Sequence, residues 1–107
     1  MFLDAFNYKF HDVDLKNLNS LNREISTLEY GMSNAVIVPF ELNSYLINMS
    51  SYNGNFCDDN EFAQIVSKYI TKGYVDLIYT SGDGVIWGYR IYPKEVKRLK
   101  AEFVEID

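Results

Sequence analysis

The chain has 107 residues, 48% of them hydrophobic and 23% charged, with a formal net charge of −5 and a pI of about 4.7. That composition predicts one globular domain spanning 1–107 and excludes a disordered chain. It disfavours direct nucleic-acid binding, which needs clustered Lys and Arg, and no apolar run approaches the roughly 20 residues that cross a bilayer. Cys57 is the single cysteine, so no intrachain disulfide is expected. The opening "MFLDAFNYKFHDVD" has neither a basic leader nor an apolar signal core, and a reducing, cytoplasmic setting is the expectation. In that setting the sequon at Asn48 reads as chance. Nine Tyr and seven Phe favour large flat contacts, inside the fold or at an interface.

Residues 2 to 10 alternate, with Phe2, Phe6, Tyr8 and Phe10 on one parity, which predicts a short strand or extended arm. Residues 14 to 29 predict a helix: Leu15, Leu18, Leu21, Ile25 and Leu28 form one apolar stripe. Asp12 or Asp14 is placed to cap it, and Gly31 to end it in the left-handed conformation. "AVIV" at 35–38 predicts a buried strand that Pro39 terminates. Residues 42 to 49 fit either period, and their Asn and Ser content favours a strand. Residues 59 to 71 predict a second helix with Phe62, Ile65, Val66, Tyr69 and Ile70 inward, Asp58 or Asp59 at its N-cap, and Gly73 at its end.

The most patterned stretch is "YTSGDGVIWGYRIYP", 79–93. Arms 74–80 and 85–92 read as a hairpin whose loop length fixes its register, because a slip of one residue turns every side chain to the other face. A three-residue loop, Gly82-Asp83-Gly84, with Gly84 left-handed, gives the cleanest sorting. Val75, Leu77, Tyr79, Trp87, Tyr89 and Ile91 then share a face covered by the helices. Tyr74, Asp76, Ile78, Thr80, Ile86, Gly88, Arg90 and Tyr92 share the other, with Asp76 across from Arg90. That second face needs cover, either from the N-terminal aromatic arm or from a partner. After Pro93 a short helix is expected, with Val96, Leu99 and Phe103 on one side; "EFVEI" as an edge strand is the alternative. The cations Lys94, Lys97, Arg98 and Lys100 read as a solvated helix face or a docking patch.

Together these elements predict an α+β fold: a mostly antiparallel sheet containing the 74–92 hairpin, packed by two or three helices, in the order β-α-β-β-α-β-β plus a final element.

The chemistry-bearing residues are sparse. His11 in "FHDVD" has Asp12 and Asp14 beside it, but one His and one Cys fall short of the ligand number that tight transition-metal sites use. Cys57 and His11 would form a nucleophile–base dyad only if the fold brought them together. Asp58, Asp59 and Glu61 lack calcium-loop spacing and read as helix capping. The glycines of "SGDGVIWG" connect two strands rather than opening a helix, so they do not predict a phosphate loop. No cofactor and no metal are therefore expected.

The leading expectation is a non-enzymatic protein-binding module, an inhibitor or adaptor, with Tyr74, Asp76, Arg90 and Tyr92 as partner-binding residues. Its acidic charge and AT-rich-type composition suit a phage- or mobile-element-type antagonist that blocks a basic nucleic-acid-binding surface. Two alternatives stand beside it. One is a small-molecule-binding or hydrolytic domain using His11 or Cys57. The other is a structural subunit that self-associates as a homodimer through an edge strand or the Arg90 face.

Overall fold

The computed structural model describes residues 3–6, 9–29, 31–49, 58–81, 84–101 and 105. They form an α+β fold of two α-helices and three antiparallel sheets. The strands are β1 (Leu3–Phe6), β2 (Lys9–Phe10), β3 (Asp14–Leu15), β4 (Ala35–Glu41), β5 (Ser44–Met49), β6 (Ile70–Lys72), β7 (Val75–Ser81), β8 (Ile86–Tyr92) and β9 (Glu95–Lys100). The helices are α1 (Leu18–Ile25) and α2 (Asp59–Tyr69). The sheets run β1-β7-β8-β9, β2-β5-β4 and β3-β6.

The hairpin has the register that its side-chain sorting predicts. Asp76 pairs with Arg90, Leu77 with Tyr89 and Tyr79 with Trp87. Gly84 has φ +87, the left-handed conformation that a three-residue loop asks of its last member. Val75, Leu77, Tyr79, Tyr89 and Ile91 are buried, joining Phe62, Ala63 and Val66 of α2 in one core. Helix α2 packs on β8 and β9, whereas α1 packs on α2 and β4. The hydrophobic face therefore has one helix over it rather than two, and α1 bridges to the second sheet through Leu21 and Ile25.

Several boundaries differ from the sequence expectation, each for a local reason. Helix α1 begins at Leu18, not at 14, because Asp14 and Leu15 pair with β6 and the Lys16 N–H donates to the Tyr69 carbonyl. Its N-cap is Asn17 at φ 51, with no side-chain cap from Asp12 or Asp14. Its end is closed by Ser26 and Thr27, whose hydroxyls donate back to the carbonyls of Arg23 and Glu24 at 2.6 Å each. Gly31 opens a 3₁₀ turn, Gly31–Asn34, instead of capping α1. Helix α2 stops at Tyr69, and the next three residues form β6. Gly73, at φ +86, serves a close backbone approach, since a β-carbon there would lie 2.4 Å from the Asp12 carbonyl oxygen.

Strand β4 runs through Pro39 to Glu41, with Pro39 opposite Tyr45. Pairing continues because β4 is an outer strand, so the missing N–H of Pro39 costs no ladder bond. The same open edge is closed one step earlier by α1. Asn22 Nδ2 donates to the Ile37 carbonyl at 2.9 Å, and the Ile37 N–H donates to Asn22 Oδ1 at 2.8 Å, so one side chain stands in for a neighbouring strand. The 42–49 ambiguity resolves as strand, with Asn43 at φ 56 in the turn that joins β4 to β5.

Among the described residues no helix follows Pro93; Phe103 and most of "EFVEI" lie outside them. Pro93 and Lys94 make a two-residue turn, with Lys94 at φ 63, and residues 95–100 return as β9 along β8. The described backbone of the aromatic arm lies at sheet edges, and Phe2 and Tyr8 are outside the described residues. Leu3–Phe6 pairs edge to edge with β7, and Lys9–Phe10 pairs with β5.

Replacing Asn22 by Ala leaves the buried Ile37 peptide without its donor and acceptor. We expect urea denaturation to show a loss of about 2 kcal/mol, the scale of unmet buried backbone groups. A loss below about 0.5 kcal/mol, the range of ordinary surface substitutions, would mean that water replaces the amide.

Candidate functional site

The hairpin's outer face gathers tyrosine, aspartate and arginine side chains of the kind used in recognition. The Asp76 carboxylate receives two parallel hydrogen bonds from Arg90, Nε to Oδ1 at 2.7 Å and Nη2 to Oδ2 at 2.9 Å. This fork geometry fixes the guanidinium plane, which lies over the Tyr74 ring at 5.0 Å from its centre. Tyr74 in turn packs on Tyr92, centroids 5.4 Å apart, and Lys97 of β9 lies over the Tyr92 ring at 5.7 Å. The hydrogen bonds to Asp76, with a smaller contribution from Tyr92, push the Arg90 pKa further above its already high value. Its charge is therefore fixed at every accessible pH.

All four expected binding residues come together here. Tyr74 is 49% exposed and Ile86 43%, while Asp76, Arg90 and Tyr92 are partly buried. Gly88 lies between them, pressed so closely under Ile78 that an added β-carbon would meet the Leu77 carbonyl oxygen at 2.4 Å and Ile78 Cδ1 at 2.9 Å. A bare glycine thus lets Ile78 lie flat on the sheet, and that flatness is what makes the face a platform.

Sequence reasoning missed the second polar cluster, on the inner face. Asp59, in the first turn of α2, accepts from Trp87 Nε1 at 2.8 Å and from the Tyr89 hydroxyl at 3.1 Å. The Tyr79 ring stacks on Trp87 at 5.3 Å and meets Tyr89 edge-on at 6.5 Å. Burial, with the Asp59 charge and hydrogen bond added, pushes the Tyr89 pKa up to about 12. Asp58 is 4% exposed and accepts from the Met32 N–H at 3.4 Å. Asp58 is the N-cap residue of α2, as the sequence places it, without a side-chain cap hydrogen bond, and Asp59 Oδ1 accepts from the Asn60 N–H at 2.9 Å. Beyond their place at the helix start, these acids form a clamp that joins α2 to the sheet and to the 3₁₀ turn. The signal was available: a buried Trp and Tyr each carry a donor that needs an acceptor.

His11 is exposed, on the rim of a shallow depression of about 300 Å³ lined also by Asp12, Gly73 and Tyr74. A neighbouring depression of about 280 Å³ is lined by Asp12, Asp14, Asn43, Lys72 and Gly73. Among the described residues no three His, Cys, Asp or Glu side chains converge as metal ligands would. Cys57 lies outside the described residues, so the His11–Cys57 pairing has no geometry here. No described helix is long and apolar enough to cross a membrane.

The Asp59 clamp carries a pH signature. A phenol whose folded pKa is raised above its unfolded value near 10 adds stability that is complete below pH 10. That contribution is lost as the pH climbs towards about 12. Tyr89 should therefore ionise near 12 by carbon-13 NMR, and Asp59→Asn should lower that value by removing the nearby charge. A wild-type Tyr89 titrating near 10 would contradict the clamp. No family model, curated protein or solved structure matches this chain.

Proposed function

We propose that this chain is a non-enzymatic protein-binding module, an inhibitor or adaptor, that recognises its partner with the Arg90 face. The observation that carries this reading is the bidentate Asp76–Arg90 pair on an exposed sheet face, its guanidinium over the Tyr74 ring and Tyr92 packed beside Tyr74. Tyr and Arg are, with Trp, the side chains enriched at binding hot spots: Tyr offers large contact area with two torsions, and Arg a planar fork of donors. Here the guanidinium is already oriented, so a partner meets an ordered surface and less side-chain freedom is lost on binding. Ile78, Ile86 and Leu99 add apolar area around the pair on the same face. A narrower version has the module as a phage-type antagonist that occupies a basic nucleic-acid-binding surface. It draws on the net charge of −5 and not on this face, whose central feature is a neutral ion pair.

The test is affinity capture from a cognate lysate at low and moderate salt, using the wild type, Tyr74→Ala/Tyr92→Ala and the distant surface control Glu29→Ala. The reading expects a stoichiometric partner that the control retains and the double variant loses by at least tenfold. A partner held equally by all three proteins would move recognition elsewhere on the molecule. Capture of no partner under either condition would count against a binding module.

A further inference from the structure

We propose that the outer edge of β9 accepts an acidic, extended segment of a partner protein as an added strand. This deepens the protein-binding reading and rests on it, but it places the contact on the sheet's edge rather than its face.

Among the described residues, β9 in the four-stranded sheet has a strand neighbour on one side only, β8. The two-residue Pro93–Lys94 turn makes Tyr92 and Glu95 the closing pair, which exchanges hydrogen bonds. Backbone direction alternates from there, so Glu95 and Lys97 turn their peptide groups to β8 while Val96 and Arg98 turn theirs outward. Among the described residues, no backbone group pairs with those of Val96 and Arg98 on that side. The outer edge of β4 is different, since Asn22 occupies the Ile37 peptide and Pro39 offers no donor. The β4 edge is closed by built devices, whereas among the described residues the β9 edge leaves the backbone groups of Val96 and Arg98 without a strand partner.

Charge then selects what can use that ladder. In a chain of net charge −5, residues 94–100 carry Lys94, Lys97, Arg98 and Lys100 against Glu95 alone. Their cations are sorted to both faces of the sheet. Lys97, opposite Arg90, lies over the Tyr92 ring at 5.7 Å, and Arg98, opposite Tyr89, lies over the Tyr89 ring at 5.9 Å. An added strand also sends successive side chains to alternate faces, so two consecutive acids in it would meet Lys97 on one face and Arg98 on the other. The same charges oppose a second copy in the antiparallel registers that set Lys97 against Lys97 or Arg98 against Arg98. They also oppose an apolar strand, which would strip water from the ammonium groups without replacing it. An acidic segment is the occupant that satisfies both the backbone and the side chains.

The test uses the nitrogen-15-labelled full chain and an end-blocked octapeptide with a central Glu-Asp-Glu-Asp flanked by Thr and Val. The control peptide has Lys in place of the four acids. The proposal expects the acidic peptide to protect the Val96 and Arg98 amides from hydrogen exchange. It expects at least tenfold weaker binding for the basic control and for Lys97→Glu/Arg98→Glu. Arg98→Pro, which removes an outward N–H while sparing the β8 ladder, should weaken binding with Lys97 intact. Glu29→Ala, an exposed residue of neither surface, should leave peptide affinity within twofold, and protection at Val96 and Arg98 rather than at Tyr74 and Arg90 separates this proposal from the Arg90-face reading. Equal binding of the two peptides would overturn it, as would bound peptide without protection at Val96 and Arg98. So would a Glu29→Ala loss as large as that of the charge-reversed variant, or no binding up to millimolar peptide.

Discussion

The connection between β7 and β8 decides what this molecule shows to solvent. With Gly84 in the left-handed conformation the strands pair Asp76 with Arg90, and every other side chain follows from that choice. Moving β8 by one residue against β7 would bring Arg90 round to the face of Leu77 and Tyr79 and put Tyr89 and Ile91 into water. Tyr89 and Ile91 are buried, so that slip exposes large side chains at about 1.5–3 kcal/mol each. The energy of the inner face thus dictates the layout of the outer one.

The inner face holds its helix by polar as well as apolar contact. Asp59 accepts from Trp87 and Tyr89, so α2 is fixed along the strand direction and not merely pressed on the sheet. Glu24 does similar work between the helices, accepting from Lys68 and from the Tyr69 hydroxyl, and these bonds hold its carboxyl below the usual carboxylate range. Asn22 ties α1 to β4. Each of these side chains joins elements distant in sequence, which is how three small sheets behave as one fold with a shared core.

The parts legible in the sequence were those governed by local periodicity. Alternation over 74–92 fixed the hairpin and its faces, and the leucine stripe marked α1, because both patterns are imposed by burial. The ends of elements were less legible, since they depend on tertiary partners. Asp14 and Leu15 match the helical stripe, yet pair with β6. Pro93 suits a helix start as well as a turn, and β8 offered residues 95–100 a ladder that no local signal announces. Of the candidate site, Tyr74, Asp76, Arg90 and Tyr92 followed from register alone. The role of Asp59 did not, because a carboxylate at a helix start looks like a cap until the donors of Trp87 and Tyr89 are seen to converge on it.

The most direct measurement is the set of cross-strand nuclear Overhauser effects in the hairpin. The account predicts effects pairing Asp76 with Arg90 and Tyr79 with Trp87 across the strands. Pairing of Asp76 with Tyr89 or Ile91 instead would place the guanidinium on the inner face, and the proposed recognition surface would not exist.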